Sequence, residues 1–184
     1  MDLFTALAPL DEGVRRWVVQ ASGPALVDAA RVLSMAHTPR GIAVIVAGAV
    51  ALLLALRDRA GALWLVLAFY SGAAFNHALK HLLQRPRPGQ AEFAVTDFAF
   101  PSGHAAQATL LYGALLVLLW RHTPSRAWRA AAASVAVLLV VAVCASRLVL
   151  QAHWFSDVVG GVLVGGLWLA LARVVRPAPL ANAD

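Results

Sequence analysis

Five long apolar runs, nearly free of charge, set the pattern of this chain, at roughly 41–56, 61–84, 103–120, 129–148 and 154–172. Each is close to the ~20 residues that an α-helix needs to cross a bilayer core, so the helix ends must extend into flanking residues. Polar links divide them: Arg57-Asp58-Arg59-Ala60, a proline-rich stretch over 85–101, a basic loop holding Arg121, His122, Arg126 and Arg129, and a short loop after 148. Arg173 and Arg176 close the last run, and Thr38-Pro39 is the N-cap and first residue of the first. Residues 1–37 read differently. Asp11, Glu12, Arg15, Arg16, Asp28 and Arg31 punctuate apolar positions at helical spacing, which predicts two amphipathic helices lying at the membrane interface. Pro24 fits the first turn of the second. The predicted fold is therefore all-α, a polytopic membrane helical bundle of about five transmembrane helices, or six if the early segment also crosses. A single domain is expected over 1–184, with interfacial helices to 37, a helical core over 38–176 and a short tail.

Composition supports a membrane protein: 61% of the 184 residues are hydrophobic, 13% are charged, and the mean hydropathy is +0.74. The net charge of +6 comes almost entirely from arginines near the ends of apolar runs. That placement points to topology signals and contact with anionic membrane lipids, and argues against nucleic acid, which would need a basic stripe interleaved with aromatics. The one cysteine, Cys144, allows no intramolecular disulfide. Residues 1–10 show no basic region of a cleavable signal, so insertion is expected to rest on the spans. With five spans, the links at 57–59, 121–129 and 173–176 share one face, which the positive-inside rule makes cytoplasmic. The loops after the second and fourth spans then share the opposite face. A bacterial inner membrane, with the polar clusters facing the periplasmic or extracellular side, is the expected location. Trp64, Trp120, Trp128, Trp154 and Trp168 read as interface anchors. Gly161 and Gly165 form a small-xxx-small pattern that could pair two copies but better suits close helix packing within the chain; a homo-oligomer is possible but not indicated.

Three polar clusters fall on that opposite face. Lys80 is the only lysine, near the end of an apolar helix; alone it would read as a cation snorkelling to the interface. Arg85-Pro86-Arg87-Pro88 follows. The prolines end the helix and fix an extended turn, holding guanidinium groups that match phosphate oxygens in a bidentate way. Arg85 is either a substrate contact or a surface residue. His77 and His81, beside Lys80, read as structural histidines, with His77 able to line the site. The second cluster, Pro101-Ser102-Gly103-His104, opens the third span. Ser102 is a good N-cap, but a helix N-terminus with a hydroxyl and free N–H groups is also an anion site, which a glycine lets the ligand approach. His104 beside it can act as a general acid. The third cluster is Ser146-Arg147, His153 and Asp157. His153 and Asp157 share a helix face, and a carboxylate on one imidazole nitrogen makes the other the better nucleophile. Glu92 and Asp97 read as solvated loop residues, and Asp157 is the only acid within the clusters, so no metal or other cofactor is expected.

Taken together, Lys80 with Arg87-Pro88, then Pro101-Ser102-Gly103-His104, then Ser146-Arg147 with His153 and Asp157, resemble the three-part signature of the type 2 phosphatidic acid phosphatase family. Its superfamily includes vanadium-dependent haloperoxidases and glucose-6-phosphatase. The likeness covers about 80–157, and every motif position matches. It implies a lipid phosphatase in which His153 attacks phosphorus to form a phosphohistidine, Asp157 orients His153, and His104 protonates the leaving group and then activates water. It also implies that Lys80, Arg87, Ser102, the Gly103 N–H and Arg147 hold the non-bridging oxygens. The expected partner is a lipid phosphate: undecaprenyl diphosphate first, then phosphatidylglycerophosphate, phosphatidic acid or a lipid A phosphate. The alternatives are a lipid phosphotransferase on the same scaffold and a non-catalytic lipid-phosphate binding or transport protein.

Overall fold

The computed structural model describes residues 3–89 and 97–175. Within them lie seven helices: α1 (Leu3–Ala21), α2 (Pro24–Ala36), α3 (Pro39–Ala55), α4 (Arg59–Leu83), α5 (Gly103–His122), α6 (Arg126–Val149) and α7 (Phe155–Val174). No strand occurs among the described residues. Arg176 and Glu92 lie outside them.

Local chemistry sets the helix boundaries. Pro24 and Pro39 open α2 and α3, where a missing N–H costs nothing. Thr38 Oγ1 caps α3 by accepting from Gly41 N, and Asp58 Oδ1 caps α4 by accepting from Gly61 N at 2.8 Å. Gln84 ends α4 in the left-handed conformation, φ 45°, and Pro86 cannot continue a helix. Gln151, φ 52°, follows the end of α6 in the same way, and the Ala152 N–H returns to the Arg147 carbonyl at 3.0 Å.

Helices α4 to α7 are each long and apolar enough to cross a membrane. Helices α2 and α3 qualify only as a pair, bent by 57° at the break between them. The five runs read from the sequence match α3 to α7 within a few residues, and the fold differs mainly in this bend. The outer surface is apolar, with Val44, Leu82, Leu138 and Leu163 all exposed, as suits helices solvated by lipid.

Helix α5 is central, packed against α4, α6 and α7. Small residues permit this. A Cβ on Gly161 would lie 2.5 Å from the Ser102 carbonyl oxygen, and one on Gly165 would lie 2.6 Å from that of Ala106. Both glycines therefore serve the α5–α7 approach within the chain. At the far end, the buried Asp58 joins α4 to α5, 3.3 Å from Arg121 Nη2 and 3.1 Å from His122 Nε2. Trp64 is a correction to the anchor reading. It is buried, and its indole N–H donates to the Ala172 carbonyl at 2.9 Å, tying α4 to α7. Trp120 and Trp128 are exposed as expected of anchors.

Candidate active site

The three clusters converge on a cavity of about 510 Å³ at the end of the bundle opposite Asp58, lined by Lys80, Arg87, Gly103, His104, Arg147 and His153 among others. Lys80 sits in the last turn of α4, where its side chain turns inward rather than snorkelling out. Its Nζ donates to the Phe98 carbonyl at 2.5 Å and lies 3.1 Å from Asp97 Oδ2. The extended Arg85–Pro88 segment pairs with the chain after the loop, Ala99 N–H donating to the Arg85 carbonyl at 2.8 Å. Arg87 is thereby carried to the cavity. Its Nη1 donates to the Ala152 carbonyl at 2.6 Å, and its Nη2 pairs with the Asp97 carboxylate.

Ser102 is the N-cap residue of α5, yet its hydroxyl makes no capping bond. The hydroxyl is buried and has no partner among the described residues, and the same holds for His104 Nε2, Arg147 Nε and Asn76 Oδ1. Asn76, His104 and Arg147 line the cavity and Ser102, fully buried, is next to the lining Gly103; orphaned polar atoms so placed are costly unless something polar fills the space. Gly103 adds to this picture: a Cβ there would meet nothing closer than Lys80 Cε at 3.7 Å. Packing within the protein does not demand a glycine at this position.

The third cluster spans the loop between α6 and α7. Arg147, in the last turn of α6, is steadied by Ser34, whose hydroxyl accepts from Nη1. His153 lies two residues before α7, and Asp157 is in its first turn. Asp157 Oδ2 accepts from Trp154 N at 2.8 Å and stands 3.7 Å from His153 Nδ1, too long for a hydrogen bond in this state. Arg87 Nη1 is 3.1 Å from His153 Nε2. A guanidinium only donates, so Nε2 must accept, which leaves the ring proton on Nδ1, towards Asp157. Burial first, then the charges of Arg87, Lys80 and Arg147, hold the His153 ring well below its ordinary pKa. The ring is a neutral base with its lone pair towards the cations. Among the described residues, no three His, Cys, Asp or Glu side chains converge as a metal site.

The family model of the PAP2 superfamily matches residues 61–179, a stretch that contains all three clusters. The chain belongs to the PAP2 superfamily. A phosphatidylglycerophosphatase B of Bacillus subtilis (strain 168) is 31% identical over 113 residues, 60% of this chain. The match spans only 56% of that relative's length. The crystal structure of the first transmembrane PAP2 type phosphatidylglycerolphosphate phosphatase from Bacillus subtilis superposes with a TM-score of 0.86, at 25% identity, over 92% of this chain and 86% of that one. Aquifex aeolicus LpxE shares the fold, with a TM-score of 0.72 at 19% identity over 90% of this chain and 95% of its own.

In this PAP2 chain, several residues stand where sequence reasoning did not put them. Asp97 is exposed, as a solvated loop acid would be, but it also pairs with both Lys80 and Arg87. Arg85 is neither at the surface nor among the residues lining the cavity. It is buried, with its guanidinium between Asp11 and Asp157. His77 lines the cavity and also faces His81, with 3.1 Å between their Nε2 atoms. Ser34, His37, Asn76 and Gln107 line the cavity too. Of these Asn76 and Gln107 carried a signal, as polar residues in apolar runs about one helical turn from Lys80 and His104. His37 is fixed by donating from Nδ1 to the Leu33 carbonyl at 2.9 Å, and its Nε2 lies 2.8 Å from Tyr112 Oη.

Proposed function

We propose that this chain is an integral membrane phosphatase that hydrolyses a lipid phosphomonoester or diphosphate through a phosphohistidine at His153, without a metal. The observation that carries this reading is the state of His153: neutral, with Nε2 unprotonated beside Arg87 and facing a cavity lined by further cations. That lone pair accepts from Arg87 Nη1 at 3.1 Å, and a bound phosphate that takes up the Arg87 donors frees it for attack on phosphorus.

In the first step Nε2 attacks phosphorus, the bond from phosphorus to the lipid oxygen breaks, and His104 gives its proton to that oxygen. In the second, His104 takes a proton from water, the water oxygen attacks phosphorus, the P–N bond breaks, and inorganic phosphate leaves with His153 restored. Lys80, Arg87, Arg147, the Ser102 hydroxyl and the Gly103 N–H hold the non-bridging oxygens, the orphaned Ser102 Oγ and Arg147 Nε gaining partners as they do so. Phosphoryl transfer needs mainly positioning and charge stabilisation, and these groups supply both. A lipid suits the setting: its phosphate enters the cavity while its tails stay beside the apolar outer surface.

Phosphatidylglycerophosphate is the first lipid to test, from the names of the Bacillus relatives, with undecaprenyl diphosphate beside it. The location that fits is a bacterial inner membrane with the cavity on the outer side, because Arg57, Arg59, Arg121, Arg126, Arg129 and Arg173 gather at the other end.

The test is phosphate release from a panel of lipids by detergent-purified protein in EDTA, beside His153→Asn. Release that survives EDTA and is lost in the variant supports the reading. Release that needs a divalent ion, or that persists in the variant, overturns it.

A further inference from the structure

We propose that Arg85, itself held by Asp11, is a positioning residue for this reaction: it locks the Asp157 carboxylate so that His153 presents Nε2 to phosphorus. The proposal rests on the phosphohistidine reading above.

The geometry is a buried relay between the first helix and the start of the last. Arg85 Nη1 donates to Asp157 Oδ1 at 2.5 Å and to Ser156 Oγ at 2.7 Å, while Nη2 donates to Asp11 Oδ2 at 2.7 Å. Asp11 then binds Ser156 twice, accepting from its N–H at 2.8 Å and from its hydroxyl at 2.6 Å. All four residues are buried, and the Arg85 guanidinium lies 4.6 Å from the ring centroid of Phe4 on α1.

Each oxygen of Asp157 thus has its own anchor. Oδ1 is held by Arg85 and Oδ2 by the Trp154 N–H, so the carboxylate plane cannot turn about its bond. The lock aims Oδ2 at His153 Nδ1, 3.7 Å away, a gap that closes when positive charge grows on the ring as the N–P bond forms. Arg85 also supplies the countercharge without which a fully buried carboxylate is costly to keep ionised. A planar fork is needed for this, because it meets two carboxylates and a hydroxyl at once; a lysine ammonium is a single point charge on a flexible stem. Asp11 completes the balance: one guanidinium between two carboxylates keeps Arg85 from turning towards the cavity, where it would compete with Arg87 for phosphate. Helix α1 is thereby tied to the active site.

The experiment measures kcat and KM for phosphate release, and the inhibition constant of orthovanadate as a phosphate mimic, on the full-length protein in detergent. The variants are Arg85→Gln, Arg85→Lys, Asp11→Asn and the Asp11→Asn/Arg85→Gln double. Losing the lock in Arg85→Gln is expected to lower kcat by about 10- to 100-fold, by analogy with the outer partners that orient histidine ligands at metal sites. KM and vanadate inhibition should stay within about threefold of wild type. Arg85→Lys should recover part of kcat. Asp11→Asn should lose less, and should add nothing in the Arg85→Gln background, because effects acting through one residue do not sum. Wild-type kcat in Arg85→Gln or Asp11→Asn overturns the proposal. So does vanadate affinity falling in step with kcat, which would make Arg85 a phosphate ligand, and so do losses that sum in the double variant. If Arg85→Gln fails to fold by thermal unfolding, Arg85→Lys and Asp11→Asn carry the same comparison. Trapping of phosphoenzyme in wild type and its absence in His153→Asn separate the two levels. No phosphoenzyme in wild type sinks the reading beneath, whereas phosphoenzyme with an unimpaired Arg85→Gln sinks this proposal alone.

Discussion

Arg87 holds Asp97 at two points: its Nε donates to the Asp97 carbonyl at 3.0 Å, and its Nη2 donates to the Asp97 carboxylate. The same carboxylate lies 3.1 Å from Lys80 Nζ, so it stands where phosphate oxygens would sit on two of the cations. Burial pushes the Asp97 carboxyl up, but the hydrogen bond from Arg87 and the charge of Lys80 outweigh it and hold it below its ordinary range. Asp97 is therefore ionised at neutral pH, and a bound phosphate must displace it. Asp97 is 42% exposed, so its ion pairs are worth on the order of 1 kcal/mol. Asp97→Asn is expected to tighten orthovanadate inhibition by about fivefold, with KM falling in the same direction. Inhibition curves for the two proteins check it; weaker inhibition in the variant would mean that Asp97 instead holds the cations in place for phosphate.

Ser102 separates capping from catalysis. Its hydroxyl makes no capping bond to α5 and has no partner among the described residues, so removing it costs the fold little. Ser102→Ala is expected to unfold within about 0.5 kcal/mol of wild type. Its kcat/KM should fall by about 100-fold, the usual cost of one donor to a transition-state oxygen. Thermal unfolding and steady-state kinetics on the same preparation decide; a lower Tm with unchanged kcat/KM would return Ser102 to the role of a plain cap.

Two glycines of α7 should respond in opposite ways. A Cβ on Gly161 meets the Ser102 carbonyl oxygen at 2.5 Å, whereas one on Gly166 meets nothing within 4 Å. Gly161→Ala is expected to push α7 from α5, cost about 1–3 kcal/mol and disturb the turn that carries Ser102 and His104. Gly166→Ala should be neutral or stabilising by up to about 1 kcal/mol. Tm and kcat for the pair check this, and equal effects at the two sites would refute the packing argument.

The low pKa of His153 predicts an acid sensitivity of the fold. Folded, the ring stays neutral well below its ordinary value, while the unfolded chain takes up a proton near 6.5. The unfolded state thus binds more protons below pH ~6.5, and stability falls with falling pH from there towards the folded pKa. Between pH 7.5 and 5.5 the loss from this one group approaches about 1.4 kcal/mol. Asp97, a carboxylate with a lowered pKa, loses its contribution only in a more acidic window, so the two are separable. Unfolding of wild type and His153→Asn at pH 7.5 and 5.5 is the measurement. The variant should show the smaller drop, and equal drops would mean that His153 is protonated in the folded protein.

The apolar runs, the cap at Thr38 and the three polar clusters were all legible in the sequence by itself. Each is written in consecutive residues: hydropathy over some twenty positions makes a span, a cap acts within one turn, and counting spans puts alternate loops on one face. Tertiary structure alone decided what the charges near those clusters do. Arg85 and Arg87 are two residues apart with the same side chain, yet one is buried against Asp11, 74 positions away, and the other faces the cavity. Nothing in α1 marks Asp11 apart from Glu12, which makes a half-buried pair with Arg15 on its own helix. Trp64 and Trp128 likewise look alike as span-end tryptophans, but one is buried and donates to α7 while the other is exposed. Periodicity tells which helix face is apolar, and motif spacing tells which residues can share a site. Which cation meets which carboxylate depends on how helices distant in sequence pack, because a charge leaves water only where that packing brings it a partner.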